Sequence, residues 1–201
     1  MKIIVSVVLL LSSIRLLPHI LVMVVCSRRS IIEKDLDRWG RILHDRPVSG
    51  LRQCVTLFVR LMTFHPEFRN LFYHRVGIGG KVLALLCREM PALYIYTKEV
   101  GPGLFIQHGF STVIAAAKIG ENCWINQQVT IGFSNPTDRP TIGNNVQISA
   151  GAKVIGKVRI GDNSKVGANA VVVKDVPADT TVVGVPAYII RQNGKKVRLP
   201  L

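Results

Sequence analysis

The chain is short of acid. Only 12 Asp and Glu stand against 26 Lys and Arg among 201 residues, leaving a formal charge of +14. Aromatic residues make up 6%, and they form neither a basic-aromatic stripe nor a recognition motif, which sets nucleic acid aside as the partner. The four cysteines, Cys26, Cys54, Cys87 and Cys123, have no C-x-x-C spacing. That excludes a disulfide framework and points to reduced thiols in a cytosolic protein; with no cluster of zinc ligands, no metal is expected. The basic excess is uneven. It is 15 to 7 in residues 1–100 and nine to three in residues 151–201, while residues 101–150 hold two of each sign. A phosphate-bearing coenzyme or an anionic membrane surface accounts for basic flanks around a neutral middle.

What is plentiful first is aliphatic. Residues 3–26 are apolar apart from Ser6, Ser12, Ser13, Arg15, Pro18 and His19. Twenty-four residues are enough to cross a bilayer. Arg15 near the middle raises the cost of insertion by roughly 2.5–3.5 kcal/mol, and Pro18 kinks any helix through it. Three readings stand: a membrane-embedded or interfacial helix pair with Arg28 and Arg29 at the cytoplasmic headgroups, a hydrophobic helix packed within an oligomer, or a signal segment, although no A-x-A-like cleavage site precedes Arg28. Helical spacing follows over residues 31–45, where Ile32, Leu36, Trp39 and Leu43 share a face and Ser30 is the expected N-cap. Further apolar helices are predicted over 51–63, 68–76 and 81–87, with a break at Pro66. The aromatic-basic stretch from Phe64 to Arg75 reads as core or interface.

From residue 113 to 176 the chain repeats every six residues. Ile119, Ile125 and Ile131, then Ile142, Ile148, Val154, Ile160, Val166 and Val172, are each six apart within their runs and often followed by glycine. Four places after each of these except Ile131 stands a small or β-branched residue: Cys123, Val129, Val146, Ala152, Val158, Ser164, Ala170 and Val176. A period this short specifies a solenoid, whose repeats bury their apolar residues only by stacking on their neighbours. Three hexads make one triangular coil, with the aliphatic residue inward and the small one at the corner.

This pattern, with Gly103-Leu104-Phe105-Ile106-Gln107-His108-Gly109 before it and Val183-Gly184-Val185-Pro186-Ala187 after it, resembles the left-handed parallel β-helix acyltransferases. Within that superfamily it is most similar to the serine acetyltransferase branch and its relatives that acetylate bacterial surface sugars. The resemblance covers residues 102–196. Together with the apolar run and the basic end of the chain, it gives an expected organisation of a hydrophobic segment at 1–28, an α-helical subdomain at 29–100, a left-handed β-helix at 101–188 and a basic tail at 189–201. The resemblance also implies acetyl-CoA as co-substrate and a homotrimer or a multiple of trimers, since side-by-side solenoids close by threefold rotation.

Of five histidines, only His108 stands where chemistry is expected. Residues 106 to 113 are seven apart, one more than the repeat, so the chain should bulge at Gln107-His108-Gly109 and present the imidazole. By resemblance His108 is the general base that deprotonates an acceptor hydroxyl, a task suited to a side chain titrating near neutrality. Two departures bear on the acceptor. Serine acetyltransferases carry an aspartate where this chain has Gln107, which has no charge for an ammonium group. Their Asp-Arg-His-Pro stretch is here Asp138-Arg139-Pro140, without the histidine. Asp138 and Arg139 lie in a turn-rich insertion at residues 133–140, where Asp138 is a candidate to orient His108 across a subunit interface and Arg139 to contact the acceptor or a coenzyme phosphate; a plain solvated loop is the alternative. Trp124 is expected to pack or to stack on a ligand. The segments Ile148-Ser149-Ala150-Gly151-Ala152 and Val166-Gly167-Ala168 match the family's coenzyme-lining segments, with Ser149, Ala150 and Ala168 on the groove. Lys165, Arg191, Lys195 and Lys196 are candidates for the adenosine phosphates.

The expectation is therefore an acetyl-CoA-dependent O-acetyltransferase acting on a saccharide hydroxyl of a bacterial surface polysaccharide or its lipid-linked precursor, at the cytoplasmic face of the membrane through residues 1–28. Serine O-acetylation is the second reading, and a non-catalytic membrane-associated β-helix scaffold is the third.

Overall fold

The apolar arm forms two helices, α1 (Lys2–Arg15) and α2 (Leu17–Val25), bent by 66° at their junction. Pro18 in the first turn of α2 has no N–H to continue the ladder from α1, which fixes the bend there. Among the described residues no single helix is long and apolar enough to cross a membrane, although the bent pair together has the length and composition. Four more helices follow: α3 (Arg29–His44), α4 (Leu51–Phe64), α5 (Pro66–Val76) and α6 (Ile78–Leu83). The N-cap of α3 is Arg28, without a side-chain cap, and the expected cap Ser30 lies inside the helix. Helix α5 starts at Pro66, where a missing N–H costs nothing, as the break in the pattern requires. The computed structural model describes residues 2–48 and 50–201, which divide into two compact units, residues 1–90 and 91–201.

The helical unit is built on aromatics. Trp39, Phe58, Phe68 and Phe72 are buried and meet edge to face, Trp39 on Phe68 at 5.3 Å and Phe58 on Phe72 at 4.9 Å between ring centroids. Such pairs contribute about 0.5–1.5 kcal/mol beyond their buried area. The core reading of the aromatic stretch holds at Phe68, Phe72 and Tyr73, while Phe64 is exposed. A buried ion pair crosses this core, with Arg75 Nε donating to Asp35 Oδ2 at 2.8 Å and Nη2 to Oδ1 at 3.2 Å.

Four histidines of this unit, His19, His44, His65 and His74, resist protonation, each chiefly through burial. His74 is lowered to about 4, first by burial and then by the charges of Arg75 and Arg28. For His74 the folded value lies below the ordinary 6.5, so the unfolded chain binds the extra proton first. Its contribution to stability is complete above 6.5 and is lost as pH falls toward 4. The urea midpoint of the helical unit should accordingly drop from pH 7.5 to pH 4.5, and His74→Gln should flatten that slope; a pH-independent midpoint contradicts the assignment.

Residues 91–201 wind into a parallel β-solenoid of three sheets. One sheet stacks β1 (Leu93–Ile95), β4 (Thr112–Ile114), β7 (Thr130–Gly132), β10 (Lys153–Ile155) and β13 (Val171–Val172). The second holds β2 (Glu99–Val100), β5 (Lys118–Ile119), β8 (Thr141–Ile142) and β11 (Arg159–Ile160). The third holds β3 (Phe105–Ile106), β6 (Trp124–Ile125), β9 (Gln147–Ile148), β12 (Lys165–Val166) and β14 (Thr180–Val183), then turns antiparallel through β15 (Tyr188–Gln192) and β16 (Lys195–Pro200). The residues expected at 189–201 as a tail are thus sheet strands. The solenoid also starts before residue 101, because Leu93 already pairs with Thr112.

The hexad positions do what their side chains suggest. Each inward aliphatic from Ile119 to Val172 and each small residue four places on, from Cys123 to Val176, is buried. Glycine follows the aliphatic because the coils touch there: a Cβ on Gly120 would lie 2.6 Å from the Gly143 carbonyl. The next corner residue takes the left-handed conformation, supplied by Asn122, Asn145, Asn163 and Asp179 at φ between 54° and 58°. Their side chains stack as a ladder, Asn145 donating to Asn163 and Asn163 to Asp179, both at 3.0 Å.

Candidate active site

A regular coil takes eighteen residues, as from Gln147 to its partner Lys165. Two corners depart from it by insertion. The first joins β3 to β4. From Ile106 to Val113 is seven residues, whereas the corresponding steps from Ile125 to Thr130 and from Ile148 to Lys153 are five. Gln107 sits over Asn126, and Phe110 meets the next coil through its carbonyl, which accepts from the Gln128 N–H at 2.9 Å. His108 and Gly109 have no counterpart above them. The bulge is thus two residues rather than one, because Ile114, not Val113, is the inward rung beside Ile131.

The inserted turn is tight. His108 has φ 64° and Gly109 φ 57°, and the Phe110 N–H donates to the His108 carbonyl at 2.7 Å. Histidine is among the side chains that adopt this region more readily than most, and the turn leaves its side chain exposed at the corner. Beside it, half-buried Gln107 is fixed at both ends: its N–H donates to the Ile125 carbonyl at 2.9 Å, and its Oε1 accepts from Asn126 Nδ2 at 3.2 Å. Asn126 escapes sequence reasoning, although its signal is present: it follows inward Ile125 as Gln107 follows inward Ile106, so stacking must pair them. Trp124 packs edge to face on Phe105 at 4.8 Å, in agreement with its packing role.

The second departure is the insertion between β7 and β8. Lys118 pairs with Thr141, twenty-three residues on, so five extra residues leave this corner. Arg139 lies over the Phe133 ring at 4.7 Å. The Asp138 carboxylate accepts from Asn135 Nδ2 at 2.7 Å and Thr137 Oγ1 at 3.3 Å, which ties it into its own loop. Within one chain this loop and His108 stand at different corners of the triangle, so the chain alone does not bring them together.

The coenzyme candidates fall on two lines. Ser149 and Ala150 are half-buried and Ala168 is exposed, all on the same edge of the solenoid as the His108 corner. Their backbone is already engaged, the Ser149 N–H with the Val166 carbonyl at 2.9 Å and the Ala150 carbonyl with the Asn169 N–H at 2.9 Å. On the third sheet Lys165 pairs with Thr181, Thr181 with Arg191, and Arg191 with Lys196. Paired positions share a face, so Lys165, Arg191 and Lys196 form one exposed cationic row. Lys195, one residue along the strand, pairs with Gln192 and projects to the opposite face, so the structure separates it from the other three. Among the described residues no group of three or more His, Cys, Asp or Glu is arranged to hold a metal ion. A cavity of about 880 Å³ belongs to the helical unit, lined by His44, Arg46, Val48, Arg52, Leu57 and Arg60, and contains none of these residues.

Residues 139–174 match a family model described as bacterial transferase hexapeptide (six repeats). A serine acetyltransferase of Synechococcus elongatus is 37% identical over 153 residues, covering 69% of this chain and 63% of that protein. The structure of soybean serine acetyltransferase complexed with serine superposes with a TM-score of 0.63 at 28% identity, over 82% of this chain and 70% of that one. The Brucella abortus serine acetyltransferase in complex with coenzyme A gives 0.59 at 26%, over 86% and 71%. The solenoid is the left-handed parallel β-helix of these proteins. The chain spans just under two thirds of the length of the curated relatives it matches.

Proposed function

We propose, for a chain that belongs to the hexapeptide-repeat transferase superfamily in its serine acetyltransferase-like branch, that it transfers an acetyl group from acetyl-CoA to a hydroxyl of a saccharide, with His108 as general base. The observation that carries the acceptor is the neutral amide pair of Gln107 and Asn126 beside the exposed imidazole. Amides offer donors and acceptors to hydroxyl groups but no charge to an ammonium group. His108 takes the hydroxyl proton as the oxygen attacks the thioester carbonyl carbon. The carbon–sulfur bond then breaks, and the imidazolium returns the proton to the departing thiolate. No protein nucleophile is required.

The donor reading is supported by the coenzyme A complex of the Brucella abortus relative and by this chain's own surface. Small residues Ala150 and Ala168 leave room on the edge below His108, and the row of Lys165, Arg191 and Lys196 suits the coenzyme phosphates. The working unit is a homotrimer or a multiple of one, in which the Asp138–Arg139 loop of one subunit walls the His108 corner of its neighbour. On this reading the enzyme works at the inner face of the membrane, held there by residues 1–28, where lipid-linked saccharide precursors are found.

A second reading, serine O-acetylation, is favoured by the names of the relatives. Release of free thiol from acetyl-CoA by the purified chain, with L-serine against a panel of sugars and nucleotide sugars, separates the two. Turnover with a sugar and not with serine is expected; a serine rate equal to or above the best sugar rate overturns the saccharide assignment. A Gln107→Asp variant sharpens the comparison. A hydrogen bond to a charged group contributes about 1.5–3 kcal/mol, so the new carboxylate should lower KM for serine by roughly 10- to 150-fold. An unchanged KM removes Gln107 from the acceptor site. The third reading, a scaffold, predicts no binding of coenzyme A.

A further inference from the structure

Sixteen large hydrophobic side chains are exposed among the described residues of the helical unit, and fourteen of them lie on α1, α2 and residues 78–86; the other two are Leu51 and Phe64. Scattered exposure needs no explanation, but such concentration marks an interaction surface. Helix α2 and the turn after α6 are clamped to one side chain. The Tyr73 hydroxyl donates to the Cys87 carbonyl and accepts from Nε2 of buried His19 at 3.0 Å. His19 and Met23 face inward on α2, and Leu83 and Cys87 do so on the other segment, which leaves Leu17 and Leu21 on the one and Val82, Leu85 and Leu86 on the other exposed. Ile78 and Leu85 are 87% and 86% exposed, close to what an isolated side chain presents.

We propose that the helical unit docks flat on an anionic lipid leaflet through α1, α2 and residues 78–86 together. This extends the membrane reading of residues 1–28 and is independent of the acyl-transfer reading. A single straight span does not fit the geometry. The fourteen residues of α1 reach about 21 Å at 1.5 Å per residue, short of a hydrocarbon core of about 30 Å, and the 66° bend turns α2 away from that line. An apolar plate with basic residues at its margins instead suits the headgroup boundary. Arg15, Arg28, Lys81 and Arg88 are exposed on or beside the same segments, and residues 1–90 hold fourteen Lys and Arg against six Asp and Glu. That charge also selects the occupant. A second copy meeting this face about a twofold axis would set these cations against themselves, whereas anionic headgroups neutralise them.

Flotation of the full chain with phosphatidylcholine vesicles, with and without phosphatidylglycerol, tests the proposal. Binding that requires phosphatidylglycerol and is stripped by alkaline carbonate is expected. Val82→Glu/Leu85→Glu should weaken it about tenfold or more, with helix content by circular dichroism unchanged. Val7→Glu/Leu11→Glu, on α1, serves as the comparison. Loss in the α1 variant with wild-type flotation in the Val82/Leu85 variant overturns the inference while leaving the reading of residues 1–28 intact. No flotation of the wild type overturns both. Carbonate-resistant binding means a span and overturns the flat docking. A fall in solution mass on Val82→Glu/Leu85→Glu, without vesicle binding by the wild type, assigns the face to a second copy.

Discussion

Replacing His108 by asparagine should lower kcat for acetyl transfer by about 10²- to 10⁴-fold, the usual contribution of a positioned general base, with coenzyme A affinity unchanged. Asparagine is the informative substitution because of the backbone. His108 sits at φ 64°, a region that costs most L-residues roughly 1–2 kcal/mol but that asparagine visits readily. An alanine at this position adds strain to the turn as well as removing the imidazole. If His108→Asn and His108→Ala lose activity equally while only the alanine variant loses stability, the loss belongs to the imidazole. Because His108 and Gly109 have no partners in the next coil, the solenoid should fold with either. Wild-type turnover in the asparagine variant, read as free thiol release, removes His108 from the reaction.

The largest effect on stability should come from Asp35→Ala. Asp35 and Arg75 are each about 2% exposed and joined by two hydrogen bonds, at 2.8 and 3.2 Å. Removing the carboxylate takes the Asp35 charge away from a buried guanidinium, which costs about 3–5 kcal/mol. That is a large share of the roughly 5–15 kcal/mol by which a domain exceeds its unfolded state. The pair is nonetheless weak evidence of net stabilisation, since desolvating two ions offsets most of their attraction. The double variant Asp35→Leu/Arg75→Met should recover most of the loss, and an apolar replacement of this kind has the potential to exceed the wild type by about 1–4 kcal/mol. Urea unfolding of the three chains, followed by helix signal, measures this. A single variant as stable as the wild type means that water reaches the site.

How much of this was legible follows from where side chains decide backbone. The hexads from Ile119 to Val172 are readable because each residue's burial depends on its place in a strict repeat, and every one is buried as its position demands. The first coil is hidden for the same reason in reverse. Leu93, Glu99-Val100 and Phe105-Ile106 carry no glycine after the aliphatic at two of the three corners, so nothing marks them as rungs until Leu93 is seen beside Thr112. The register slip from Val113 to Ile114 is invisible because the two side chains are almost alike. Helices α3 to α5 are readable by their apolar faces, whereas the start of α3 is not, because Arg28 caps it with no side-chain bond. At the site, His108 is legible as an interruption of the repeat. Its partner pair Gln107 and Asn126 lies nineteen residues apart, a separation that becomes contact only once the coil length is known.

Strands β14, β15 and β16 fasten a hairpin to the end of the third sheet, and with it they fix a length. Adjacent strands in a sheet are about 4.8 Å apart. From β3, which leads to His108, to β12, which carries Lys165, is three such steps, and Arg191 and Lys196 lie two and three steps further. On the proposed seating of the coenzyme, the solenoid is a ruler whose two marks are the imidazole and the cations. Solenoids ordinarily gain and lose repeats with little penalty, because each repeat contacts only its neighbours. Here one duplicated coil would move the phosphates about 4.8 Å from the acyl carbon's station, so on that seating the count of coils sets a distance as well as a stability.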